Sequence, residues 1–173
     1  MVEPIQINYK PEKKDYIQAS RTLALKTPTF LILAGIILVA MIASAVILLL
    51  PSLRNSNWQR IAIVVLLVGV FYLLYYLLFI PFQLSQAYKG NPNLQVERQI
   101  RLTEEKILMM IGDRTAELDW EHVQKVVEGK DLYLIIYRDR NQIYPLLPKR
   151  ALKDAGEEDA FLKLLKEKSL KVV

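Results

Sequence analysis

The chain has 173 residues, of which 53% are hydrophobic, and its 23 basic and 18 acidic side chains give a net charge of +5. It contains no cysteine, which excludes disulfides, thiolate metal sites and cysteine nucleophiles. From Lys89 onward 16 basic residues stand against 15 acidic ones, so the basic excess lies beside the apolar stretches and nucleic acid is not an expected partner.

The first 28 residues are too polar for a signal peptide. Every second residue from Ile5 to Tyr9 is apolar, which predicts a strand, and apolar residues after Glu12 recur at helical spacing. We predict a short amphipathic helix there, for which two interpretations stay open: its cations contact anionic headgroups, or it packs on the protein's own soluble domain. These cations are Lys13, Lys14 and Arg21.

Two long stretches, residues 27–53 and 61–88, contain no charged residue. About 20 apolar residues suffice for a helix to cross a bilayer. The sequence therefore predicts two transmembrane helices, over residues 29–50 and 61–84, and the short turn between them makes the helices antiparallel neighbours. Neither span contains an ionisable acidic or basic side chain, which argues against a transporter or channel acting alone.

Small residues predict how the two helices pack. Ala40 and Ser44 form a small-xxx-small pair, and Gly69 lies at about the same depth in the second helix. We expect Gly69 to face Ala40 and Ser44. Tyr72 lies deep in the hairpin, where its hydroxyl needs a partner; a hydrogen bond to Ser44 or to a backbone carbonyl is expected, and a ligand site is the alternative.

The basic residues flanking the spans predict that both termini are cytoplasmic and that the turn is outside, in a multi-pass protein of the cell (inner) membrane. The turn offers two arginines, and each cytoplasmic flank offers four basic residues. The predicted organisation has six parts: residues 1–28, a cytoplasmic strand and helix; 29–50, the first span; 51–60, the turn; 61–84, the second span; 85–94, a linker; and 95–173, a cytoplasmic β domain.

Beyond the linker, short β-forming segments alternate with turn residues, which is typical of an antiparallel meander. After Gly156 the apolar spacing becomes helical, with Phe161, Leu164 and Leu165 on one face. These patterns predict a membrane α+β protein in which a two-helix transmembrane hairpin is joined to a small barrel or bent sheet. The C-terminal helix is expected to close one end of that domain. The predicted strands are 96–102, 106–111, 114–120, 123–128, 132–138 and 142–147.

Two segments resemble the YcxB-like family of bacterial membrane proteins. Trp120 followed by Val123 matches a tryptophan at the start of a strand, and Pro148-Lys149-Arg150 matches the close of a later apolar strand before a helix. The order of segments is also similar. The resemblance implies a pleckstrin-homology-like cytoplasmic domain and brings no established activity and no catalytic residues, so these motif residues are expected to be structural.

No residue pattern predicts catalysis, a cofactor or a metal site. His122 is the only histidine, and the six glycines are isolated. Lys149, Arg150 and Lys153 form the compact basic cluster of the soluble part, for which a solvated connection and an anionic-lipid contact are the two interpretations.

The sequence therefore predicts a non-catalytic membrane protein whose β domain binds an unknown protein partner or itself. The alternative is an anionic-lipid sensor. A membrane-bound enzyme or a transporter subunit is less favoured, because no convergent set of titratable residues is visible.

Overall fold

The chain folds as two units, and one of them is built from both ends of the sequence. A computed structural model describes residues 4–50, 52, 56–138 and 145–173. The β unit combines the N-terminal residues through Lys26 with Ser85–Val173, and the helical unit is Thr27–Leu84. The sequence-based division set residues 1–28 apart from the β domain, whereas the structure joins the two and inserts the helical unit between them.

The helical unit is a pair of long apolar helices, as predicted. Both are long and apolar enough to cross a membrane, and only 6% of each apolar window is buried, unlike the core helix of a soluble protein. Ser56 caps the second helix, since its hydroxyl accepts a hydrogen bond from the Gln59 amide. Residues 51 and 53–55 of the predicted turn 51–60 lie outside the described residues, and residues 57–60 already belong to the second helix. The helices are α2 (Pro28–Leu49), α3 (Asn57–Leu74), a π-helix (Tyr75–Phe79) and α4 (Ile80–Gly90).

The second long helix changes its winding over the π-helix, just before Pro81. A proline has no amide proton and its ring clashes with the carbonyl four residues earlier, which here belongs to Leu77. A π turn widens the helix locally and is a usual response to such a disruption. The sequence prediction of a plain helix did not include this feature.

Gly69 and Ser44 are buried between the two helices, and Ala40 and Tyr72 are half-buried. A Cβ placed on Gly69 would lie 2.5 Å from Cγ and Sδ of Met41. The side chain facing Gly69 is therefore that of Met41, which directly follows Ala40 in the sequence. Close approach of the helices at this glycine is the packing expected in a bilayer, where small residues replace the hydrophobic effect as the means of association.

Gly69→Leu is expected to weaken the packing of the hairpin by about 1–3 kcal/mol, because the new side chain overlaps Met41. The rings of Phe30 and Tyr76 are 4.8 Å apart, so crosslinking between Phe30→Cys and Tyr76→Cys in this cysteine-free chain measures the packing. Gly35→Leu is the matched control, since a Cβ at Gly35 has no neighbour within 4 Å. Equal crosslinking of the two leucine variants would contradict the prediction.

In its described residues the β unit contains two antiparallel sheets, three α-helices of its own, the last residues of α4 and two 3-10 helices, Pro92–Leu94 and Trp120–His122. One sheet has the strand order β1-β2-β3-β4 and the other has the order β5-β6-β7. The strands are β1 (Ile5–Tyr9), β2 (Arg98–Leu102), β3 (Lys106–Ile111), β4 (Arg114–Asp119), β5 (Val123–Glu128), β6 (Leu132–Tyr137) and β7 (Leu146–Pro148). The helices are α1 (Lys13–Leu25), α5 (Lys149–Asp154) and α6 (Glu158–Glu167).

The predicted meander of antiparallel strands is confirmed, and β3 and β5 have the predicted bounds. Trp120, predicted to end a strand, instead begins a short 3-10 turn between β4 and β5. Part of the predicted strand 142–147 lies outside the described residues, and β7 begins only after Pro145. Helix α5 is not predictable from the sequence pattern, because its six residues are too few to establish a helical period.

The C-terminal helix packs in the core, as predicted. Phe161, Leu164 and Leu165 are each at most 1% exposed, and the Phe161 ring lies 5.2 Å from that of Tyr133. At the N-terminal end, Ala19 of α1 is buried in a second apolar cluster formed with residues of β5, β6 and β7. Of the two interpretations of α1, the structure therefore supports packing on the protein's own domain.

Helix α6 ends in a Schellman motif whose left-handed position is occupied by a serine. Ser169 has a φ of +52°, its amide donates to the Lys166 carbonyl, and the Leu170 amide donates to the Leu165 carbonyl. Glycine is the usual residue at this position, because a Cβ is strained in the left-handed region.

Ser169→Gly is therefore expected to stabilise the β unit by about 0.5–1 kcal/mol, since relief of the left-handed strain exceeds the entropic cost of the glycine. Ser169 is exposed, so no packing is lost. Urea-dependent proteolysis of the full chain measures the change. Lys168→Gly, at an adjacent residue with negative φ, is the control and should destabilise the unit. A loss of stability in Ser169→Gly would contradict the prediction.

Candidate functional site

A groove of about 390 Å³ on the β unit collects basic side chains from three separate parts of the chain. Helix α1 and the turn between β5 and β6 form two of its walls, and α5 forms the third. Five of the seven lining residues are cations, so we call it the basic groove. Its lining residues are Lys14, Gln18, Lys130, Asp131, Lys149, Arg150 and Lys153.

Arg150 is held by a buried carboxylate. Its two terminal nitrogens donate to Oδ1 and Oδ2 of Asp15 at 2.6 Å each, and Asp15 is only 1% exposed. The Glu12 amide also donates to Asp15 at 2.7 Å, and the Glu12 carboxylate lies 3.3 Å from Arg150. The hydrogen bond to Asp15 raises the pKa of Arg150. Such a bidentate pair is rigid, so Arg150 connects α5 to α1 and its charge is already compensated.

Lys149 is also paired. Its ammonium donates to Oε1 of Glu128 at 2.5 Å and lies 4.8 Å from the centre of the Tyr133 ring. Partial burial by itself lowers the pKa of Lys149, but the hydrogen bond to Glu128 together with nearby negative groups outweighs it, so the net shift is upward. Lys149 therefore stays charged and contributes a compensated charge to the groove.

The remaining three cations are held loosely. Lys153 lies 3.8 Å from Glu158, and Lys14 pairs with the exposed Glu12 at 3.0 Å. Among the described residues, Lys130 has no carboxylate within ion-pair distance. Exposed pairs contribute about 0–1 kcal/mol, so an incoming anion can replace them at small cost. The groove can thus offer Lys14, Lys130 and Lys153 to an anionic group.

Further polar contacts fix the N-terminal segment in place around the groove. The Tyr9 hydroxyl donates to the Leu146 carbonyl, and the Tyr16 hydroxyl donates to the Leu94 carbonyl at 3.1 Å. The guanidinium of Arg98, itself buried, donates to Tyr16 at 2.6 Å. Burial raises the pKa of Tyr9 and of Tyr16, although Arg98 opposes the shift. Both hydroxyls therefore stay protonated at neutral pH and keep α1 and β1 attached to the rest of the unit.

The residues that resemble the family motif lie in two places. Trp120 is buried, and its indole N–H donates to the Thr103 carbonyl at 2.8 Å; Val123 is buried in the same core cluster. Pro148 ends β7 and leads directly into α5, where Lys149 and Arg150 stand first. Trp120 and Val123 thus support the core, and Lys149 and Arg150 of the Pro-Lys-Arg triplet line the basic groove.

His122 is exposed, and no cluster of potential metal ligands surrounds it among the described residues. Among the described residues, no three His, Cys, Asp or Glu side chains are grouped so that they could hold a metal ion. The carbonyl of His122 accepts a hydrogen bond from the Arg138 amide, which joins the start of β5 to the end of β6.

Sequence reasoning found Lys149, Arg150 and Lys153 but missed the residues that complete the groove. Lys130 was assigned to a turn, and no pattern indicated that Asp15 would reach across to α5. The available signal was a capping-box spacing, since Asp15 stands three residues after Glu12 and bonds back to its amide. That signal predicts a helix start but not a partner 135 residues away.

The fold and the groove define a class: an α+β protein with two candidate membrane-spanning helices and an antiparallel β unit. Residues 102–165 match the model of the family described as YcxB-like protein. The chain therefore carries a YcxB-like domain, and the resemblance seen in the sequence is confirmed. The match includes Trp120, Val123 and the Pro-Lys-Arg triplet, and the two apolar helices lie outside it. A search of curated proteins gave no match.

Proposed function

We propose that this is a non-catalytic two-pass protein of the cell (inner) membrane, and that it holds a YcxB-like cytoplasmic domain at the bilayer for interaction with a protein partner or with itself. The observation that carries the proposal is the insertion of the apolar hairpin into the β unit. Both flanks of the hairpin contribute to one folded unit, so both must stand on the same side of a membrane. The larger number of basic residues in those flanks favours the cytoplasmic side.

The proposed domain is pleckstrin-homology-like. Two antiparallel sheets of four and three strands, followed by a C-terminal helix that packs in the core, support this assignment. Folds of this kind serve many functions, so the fold favours binding only in general terms. The basic groove combines two cations that are paired with carboxylates, Lys149 and Arg150, with three that are loosely held or unpaired at an open surface, which fits recognition better than proton transfer.

Crosslinking in membranes tests the proposal. We expect a chain tagged at its C terminus to capture one protein, or a second copy, in stoichiometric amount from intact membranes. A control chain keeps the β unit but replaces residues 27–84 with an unrelated two-span hairpin, and it should capture the same protein. Capture of lipid alone, or a C-terminal reporter active only outside the cytoplasm, would contradict the proposal.

A second candidate function is recognition of an anionic lipid headgroup, and the convergence of five cations on one groove favours it. We expect the purified full chain to retain anionic over zwitterionic lipid, because a phosphate can pair with Lys130 and replace the weak surface contact of Lys153 with Glu158. Arg150 is unsuitable for this test, since its loss would leave the buried Asp15 carboxylate without the cation that compensates its charge.

The paired variant is Lys130→Glu/Lys153→Glu, and the matched control is Lys163→Glu, an exposed site outside the groove. Mass spectrometry of co-purified lipid should show about a fivefold loss of anionic preference in the paired variant alone. The same preference in all three chains would remove the lipid hypothesis.

A further inference from the structure

The outer edge of β5 is covered by the last residues of the chain. One edge of β5 pairs with β6, and the other is bridged by Val172, which lies parallel to Val126. The Val126 amide donates to the Lys171 carbonyl at 3.0 Å, and the Glu128 amide donates to the Val173 carbonyl at 2.8 Å. The Val173 amide donates to the Val126 carbonyl at 3.0 Å. Lys171–Val173, which we call the tail, thus adds a short strand to the sheet.

Leu170, which directly precedes the tail, and Val173, which ends it, both make apolar contacts. Leu170 packs against the main core cluster, and Val173 packs against the cluster that contains Val127. Val172, between them, is 39% exposed. An extended peptide at this edge can therefore form backbone hydrogen bonds with β5. It can also make apolar contacts at two positions, those of Leu170 and Val173.

The tail is a weak occupant of this edge. It pairs over three residues, whereas strands in globular proteins usually have about five or six. The segment between α6 and the tail contains Ser169, the one described non-glycine residue with positive φ. Pairing over so few residues opens at low free energy, so the edge is exposed from time to time.

We infer that the β5 edge is a strand-addition site for an extended peptide of a partner protein, and that the tail is its resident occupant. The inference rests on the proposed interaction function and names the partner's chemistry. The peptide carries apolar residues at the positions of Leu170 and Val173, and it has an amide proton at the latter position to donate to Val126. Recognition by strand addition draws affinity from backbone hydrogen bonds and specificity from the sites that receive the peptide's side chains.

Peptide binding to the full chain in detergent tests the inference. The probe is a labelled peptide with the sequence of residues 168–173, Lys-Ser-Leu-Lys-Val-Val. A chain that lacks Leu170–Val173, so that the positions of both Leu170 and Val173 are free, should bind it at least about tenfold more tightly than the complete chain. The control peptide carries Val173→Pro, which removes the donated proton, and it should bind at least about tenfold more weakly. Equal binding of the two peptides would overturn the inference.

Hydrogen exchange of backbone amides tests the inference without deleting any residue. In the unaltered chain, Val126 and Glu128 donate to the tail, while the alternation of the strand directs the Val127 amide to β6. We expect Val126 and Glu128 to exchange at least about tenfold faster than Val127. Exchange as slow as that of Val127 would overturn the role of the tail as a displaceable occupant.

Tail exchange between two copies is the competing arrangement. It would give dimers of the complete chain that disappear on deletion of the tail, with no binding of added peptide, and this result would overturn the assignment to a partner peptide. Failure of the peptide test leaves the proposed function standing, because crosslinking in membranes does not depend on which surface binds the partner.

Discussion

Asp15→Asn is expected to lower the free energy of unfolding of the β unit by about 2–4 kcal/mol. The substitution leaves Arg150 without its bidentate partner, and breaking a buried ion pair on one side is among the costliest single changes. We expect a smaller loss of stability than for a fully buried ion pair. The reason is that Arg150 is about one-third exposed, so water compensates part of its charge. Urea-dependent proteolysis of the full chain in detergent measures the change.

Glu12→Gln is the matched control, since Glu12 also approaches Arg150 but at 3.3 Å and with half of its side chain exposed. It should cost less than about 1 kcal/mol. The double variant Asp15→Asn/Arg150→Gln should recover part of the loss, because no unpaired charge remains. Equal effects of Asp15→Asn and Glu12→Gln would mean that the buried pair does not hold α1 to α5.

Phe161→Ala is expected to cost about 3–5 kcal/mol in the free energy of unfolding. The Phe161 side chain is fully buried and contacts Tyr133 of β6, so its removal loses the transfer free energy of the ring and leaves a cavity in the core. A domain of this size has a small core, and a loss of that magnitude is a large part of its stability. The same proteolysis assay measures it.

Lys163→Ala is the control on the same helix, because its side chain is 71% exposed and pairs only weakly with Glu167. We expect a change within about 0.5 kcal/mol. If the two variants were equally stable, α6 would not be a necessary part of the core.

The position of the hairpin within the sequence makes the N-terminal segment part of the β domain. A membrane anchor attached at one end of a domain would leave the domain able to fold without the segment on the far side of the anchor. Here β1 pairs with β2 in register, with Ile7 opposite Ile100, across the inserted helices. A shortened chain that begins at residue 95 therefore lacks an edge strand and the carboxylate of Asp15, and we expect it to be unstable.

Several elements follow from local sequence alone. The two apolar stretches exceed the length that a bilayer requires, and β-forming residues bounded by turn residues predicted β3, β5 and β6. The Gly112–Asp113 turn between β3 and β4 follows from a glycine whose φ of +56° suits a two-residue hairpin. The spacing of Phe161, Leu164 and Leu165 predicted the buried face of α6, because the apolar residues of an amphipathic helix recur on the face that packs in the core.

The sequence by itself determined the class of this protein: two apolar helices, an antiparallel β domain with a C-terminal helix, and a YcxB-like motif. Those features are local, because each depends on the period or length of one segment. Only the tertiary structure decided that residues 5–25 belong to the β domain, that Asp15 compensates Arg150, and that the tail covers β5. These contacts join residues up to 137 positions apart, and no local pattern encodes which distant groups will meet.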